Sequence, residues 1–157
     1  MHSQYSAGGF LPAPKVGDHH QPYRVTFVVD LFKNTEEERM SLGHQALHIM
    51  LEALMAIDCL YLLGHPECPG IYDGQVRYQV EPPGEEDWQD VPTCLKLGYG
   101  DCEDLACWRA AELRIRHKIP AKPIFLWRSL PDGGQMYHIQ VMTPSGIEDP
   151  SRRLGMK

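Results

Sequence analysis

The sequence predicts an α+β chain in which helices come first and strands last. Three observations carry this. A long apolar stripe at helical spacing runs through the first half, a second helix starts after "GYGD", and the last third alternates like strands between tight turns.

Residues 1–22 are rich in Gly, Pro, His and Ser and show no apolar period, which predicts an extended arm that buries too little surface to fold alone. Such an arm suits docking on an assembly partner. Residues 23–157 then form one domain, beginning with a strand over Tyr23–Phe32, "YRVTFVVDLF", rich in β-branched and aromatic residues. A helix follows. Asn34 or Thr35 caps it, and Thr35 with Glu38 has capping-box spacing. Met40, Leu47, Met50, Leu51, Leu54, Ile57 and Tyr61 form its expected core stripe, and Gly64 with Pro66 ends it. "VRYQV" at 76–80 predicts a short strand, and "EPPGEEDWQDVP" a loop. A second helix spans about Cys102 to His117, with Asp101 as N-cap and Pro120 beyond its end. Strands are expected at 124–128, at 135–143 and leading into Asp149, joined by turns at "PDGG" and "PSG".

A length of 157 residues suits one domain that buries roughly 70% of its unfolded surface. The formal charge of −6, from 21 acids against 15 Lys and Arg, argues against nucleic-acid binding. The N-terminus shows no basic and apolar secretory pattern, and the apolar runs fall short of the roughly 20 residues of a membrane span. With five cysteines, an odd count, these features predict free thiols and a cytoplasmic site of synthesis, with no membrane partner. Cys94, Cys102 and Cys107 are spaced by 8 and 5 residues, which misses paired zinc spacing, so no metal or other cofactor is expected.

Cys102 stands where chemistry is favourable. The first amides of a helix are unpaired and the macrodipole is positive there, so a thiolate is stabilised. Gly98 and Gly100 turn the backbone into the helix and leave space for a substrate. His138 lies in "QMYHIQVMT", where alternation places Met136, His138, Gln140 and Met142 on one face and Tyr137, Ile139 and Val141 on the other. Asp149 follows after a tight turn, so antiparallel pairing brings its carboxylate toward the imidazole. Nucleophile, base and orienting acid then form a Cys-His-Asp triad. For each residue a structural role competes: Cys102 and His138 as core residues, Asp149 as a strand-end residue. Trp88 and Tyr99 flank the nucleophile as cleft or oxyanion candidates, or as an apolar lid, while Trp108 and Trp127 are expected in the core. Glu103 and Asp104 suit a first helical turn. A nearby charge opposes thiol ionisation, so both are expected to point away from the sulfur, or Asp104 to pair with an arginine. Cys107 faces another side of the helix and is expected in the core.

"DWQDVPTCLKLGYGDCEDLA", through Trp88, Pro92, Leu95, Gly98, Gly100, Asp101, Cys102, Glu103 and Asp104, followed by "HIQVMTPSGIEDPS", resembles the transglutaminase-like superfamily, closest to the bacterial transglutaminase-like cysteine peptidases. The resemblance covers about Trp88 to Ser151 and departs at Tyr99 and in the short chain after Asp149. It implies a papain-like core, with the nucleophile helix packed on an antiparallel sheet. Cys102 is then the nucleophile, His138 the base and Asp149 its orienter, acting on peptide or protein amides, with hydrolysis favoured over crosslinking. Gly100 and Asp101 would lie beside the oxyanion. The ending "EDPSRRLGM" resembles small transglutaminase-like proteins of bacteriophages, which raises a second expectation: a catalytically silent or dual-role module incorporated in a virion.

Overall fold

The computed structural model describes residues 35–82, 86–131 and 133–157. The expected arm at 1–22 and the expected strand Tyr23–Phe32 lie outside the described residues. The chain holds both helices and sheets.

Helix α1 spans Glu36–Gly64. The capping box forms: the Glu38 backbone N–H donates to Thr35 Oγ1 at 3.1 Å, and the Thr35 N–H donates to Glu38 Oε2 at 3.2 Å. Its inward face is Leu51, Leu54, Met55, Asp58 and Leu62. The expected stripe is therefore out of phase in part, because Met50 and Ile57 are 44% and 50% exposed. α1 is apolar on nearly every side, so the sequence period alone does not fix which side turns inward.

Strand β1, Arg77–Tyr78, pairs in parallel with β2, Tyr99–Gly100, in the register Tyr78↔Gly100. Between them lies α2, Val91–Leu97, which begins at the last two residues of the expected loop and runs on beyond it. At seven residues it is too short for a period to declare itself, yet its end signals are present. The Asp90 side chain accepts from the Thr93 N–H at 3.1 Å, Pro92 occupies the first turn, and Gly98 closes the helix at φ 76°, where an L side chain is strained. Asp58 of α1 reaches across to accept from the Val91 N–H at 3.0 Å, tying the two helices together.

Helix α3, Cys102–Arg116, is the central element and is buried on most sides through Leu105, Ala106, Cys107, Trp108, Ala110, Ala111 and Leu113. Cys107 and Trp108 are core, as expected. Trp127 is 44% exposed instead, near the end of β3, with its ring 5.1 Å from that of His44 in α1. Strands β3 (Lys122–Ser129), β4 (Gln135–Thr143) and β5 (Gly146–Glu148) form an antiparallel sheet in that order, paired Leu126↔His138 and Val141↔Glu148. Ile139 and Val141 are buried in the core, while Met136 and Met142 are exposed and His138 and Gln140 half-buried, as the alternation requires. The four-residue helix α4, Pro150–Arg153, follows directly. It too escaped the period, although Asp149-Pro150 is an N-cap followed by a first-turn proline.

Candidate active site

Two pieces of backbone meet at the site: the start of α3, carrying Cys102, and the β4–β5 pair, carrying His138 and Asp149. The register sets Asp149 one residue beyond the Val141↔Glu148 pair, beside Gln140. Its Oδ2 lies 2.9 Å from His138 Nε2 and accepts from Gln140 Nε2 at 3.0 Å, with Arg152 Nε at 3.3 Å. Its Oδ1 accepts from the Arg152 backbone N–H at 3.2 Å, making Asp149 the N-cap of α4. Burial pushes this carboxyl up, but hydrogen bonds from His138, Gln140 and the Arg152 N–H outweigh it and hold Asp149 below the usual range. A carboxylate fixed from four sides and bonded to an imidazole is an orienting arrangement, and the sequence located both residues. Gln140 was placed on the right face, but its role as a second donor to Asp149 was not foreseen.

At the start of α3 the outcome differs. The half-buried Cys102 thiol donates to Glu103 Oε2 at 3.3 Å, and no hydrogen bond joins it to His138. Burial raises the thiol well above its usual value, the Glu103 carboxylate beside it raises it further, and a hydrogen bond involving the Ile139 backbone only partly opposes them. The expectation that Glu103 points away from the sulfur is thus corrected. So is the expectation of a thiol activated by the helix end, because burial and the neighbouring carboxylate raise it. Asp104 pairs with no arginine. Its Oδ1 accepts from the Gln89 N–H at 2.7 Å and its Oδ2 from the Asp101 N–H at 3.1 Å, so it clips the loop before α2 onto the start of α3. Burial, with the Asp101 charge, still raises Asp104 to about 8 despite those two amides. Burial raises both Asp101 and Glu103; the hydrogen bond and charge of Glu103 raise Asp101 further, whereas that hydrogen bond lowers Glu103 and the Asp104 charge raises it.

Gly100 does not open a substrate path as expected. A Cβ there would come within 3.1 Å of Cys94 Sγ and of Asp104 Cβ, so its missing side chain serves close packing. Trp88 packs half-buried against the core and Tyr99 is half-buried in β2; neither hydrogen-bonds Cys102. Sequence reasoning missed Tyr78. It pairs with Gly100 of β2, its N–H donates to the Leu154 carbonyl just beyond α4 at 2.9 Å, and burial raises its phenol, with the charges of Cys102, Asp101, Glu103 and Asp149 adding to this. The only sequence signal was its place in "VRYQV", because the β1–β2 pairing that brings it there is long-range.

Among the described residues no group of three or more His, Cys, Asp or Glu side chains is arranged to hold a metal ion. The chain matches no family model, no curated protein and no solved structure. Its chemistry is accordingly inferred from its own geometry.

Proposed function

We propose that the chain is a cysteine-dependent amidase or acyl transferase of the transglutaminase-like type, built on a papain-like core and acting on peptide or protein amides. The observation that carries this is the His138–Asp149 pair at 2.9 Å, braced by Gln140 and α4 beside a helix that begins with Cys102. In this reading the sulfur leaves Glu103 and turns to His138, which takes the thiol proton. The thiolate attacks the amide carbon, and as the C–N bond breaks His138 returns the proton to the departing amine. Water, or a second amine, then cleaves the thioester with His138 again as base, releasing acid or a new amide. The unpaired N–H groups at the start of α3 suit the oxyanion. Hydrolysis is favoured over crosslinking in this reading.

The thiol bonded to Glu103 supports a second reading, a silent or dual-role module that serves in an assembly such as a virion. One experiment separates them: wild type, Cys102→Ala and His138→Ala are incubated with lysate, and new termini and isopeptides are identified by mass spectrometry. The amidase reading expects products from the wild type that Cys102→Ala and His138→Ala abolish. Identical products from all three would leave only the silent module.

A further inference from the structure

Helix α1 is apolar on two opposite faces, and the fold uses one. The outward face carries the half-buried Leu42 and Ala46 and the exposed Ile49, Ala53, Ala56, Leu60 and Leu63, a strict alternation of three- and four-residue steps over three heptads. Ile49 is 65% exposed, Leu60 71% and Leu63 60%, and the flanking Met50 and Ile57 widen the strip. Glu52, at the edge of this strip, is bonded to His48 at 3.3 Å. A helix apolar all round is ordinarily covered all round.

We propose that a second copy of this chain covers the strip, α1 against α1 about a two-fold axis. The heptad spacing is the geometry by which one straight helix meets another, and the same row on a second copy supplies both knobs and holes. Alanines at 46, 53 and 56 sit between the larger Ile and Leu residues and allow close approach of the backbones. The strip runs about 33 Å along the helix axis. Its exposed apolar area is on the order of 600 Å², near the roughly 800 Å² per partner of a standard interface. A lipid surface fits less well. Met40–Gly64 is long and apolar enough to cross a bilayer, with mean hydropathy 1.8, but its other face holds the buried Asp58 against α2 and packs on α3. It also contains no Lys or Arg to meet headgroups. This inference is independent of any activity at Cys102.

Sedimentation velocity of the full chain from low to high micromolar concentration tests it. The wild type is expected to dimerise. Leu60→Glu and, separately, Ile49→Glu are expected to raise the dissociation constant by more than about a hundredfold, because each buries a charge in the seam. Leu126→Glu, on the exposed face of β3, is expected to leave it unchanged. Far-UV circular dichroism checks folding, and either seam variant alone suffices if the other fails to fold. A wild type that stays monomeric overturns the proposal, whether or not it binds vesicles. So does a dimer that tolerates both seam variants.

Discussion

Two carboxylate clusters sit along the same helix and are handled in opposite ways. Near the start of α3, Asp58, Asp101, Glu103 and Asp104 are buried with no cation paired to any of them among the described residues. Burial raises all four above the usual carboxylate range. Farther along, Glu148 accepts from Tyr72 Oη at 2.6 Å, Arg109 Nε at 2.9 Å and Arg153 Nη1 at 3.2 Å, while Arg109 also donates to Glu112 at 2.8 Å. Burial pushes Glu148 up, but these donors outweigh it and keep it below the usual range. The Arg153 guanidinium stacks 3.7 Å from the Tyr72 ring centroid and closes the cluster. The difference separates scaffold from site. The Glu148 cluster bolts β5 to α3 and so fixes where Asp149 begins, while the acidic cluster leaves buried carboxyls with raised pKa beside a thiol.

Breaking the paired cluster has the largest expected effect. Glu148→Ala leaves the partly buried Arg109 with one partner fewer and should cost about 2–4 kcal/mol, measured by urea denaturation. It should also loosen Asp149. A loss below roughly 0.5 kcal/mol, the size of an exposed ion pair, would mean the cluster is mere surface decoration.

The unpaired cluster should write itself into the pH dependence of stability. A carboxyl raised in the fold contributes fully below its unfolded pKa, near 4, and loses that contribution as pH rises toward the folded value, about 8 for Asp104. Stability should therefore fall between about pH 5 and pH 8, by up to about 1.4 kcal/mol per pH unit for each group that titrates. Asp149 and Glu148 are lowered in the fold and act with the opposite sign, contributing above about pH 4 and failing as pH drops through their folded values. Asp101→Asn keeps a good N-cap and removes one acid, so it should flatten the alkaline limb and spare the acid limb. Thermal melts across the range check this, and a limb as steep as wild type would show that Asp101 carries no raised titration.

How legible this was depended on the range of the interaction. The Thr35–Glu38 capping box, the start of α3 at Cys102 and strand β4 over 135–143 are local patterns, and all three could be read directly. The His138–Asp149 pair was legible because one turn and a two-residue period fix it. Helices α2 and α4 are shorter than the window a period needs, though their Asp-then-Pro starts were present. Tyr78 and Gly100 meet through a parallel pair 22 residues apart in sequence, which no local pattern announces. The direction of Glu103 was misjudged for another reason: repulsion argues that acid and thiolate separate, but a protonated thiol is a donor and seeks the carboxylate.

That last point gives the smallest and sharpest effect. Glu103→Gln removes the charge 3.3 Å from the sulfur and leaves the burial in place. If the carboxylate matters beside desolvation, the thiol should fall by about one pKa unit, and iodoacetamide should label Cys102 about tenfold faster at pH 8. Cys59, half-buried in α1 and raised by its own burial and the Asp58 charge, serves as the internal control and should not change. Peptide mapping with mass spectrometry reads both thiols in one sample. A Cys102 rate unchanged by the substitution would assign the raised pKa to burial alone. The acidic cluster would then differ from the Glu148 cluster only in solvation, and charge would have no part in restraining the thiol.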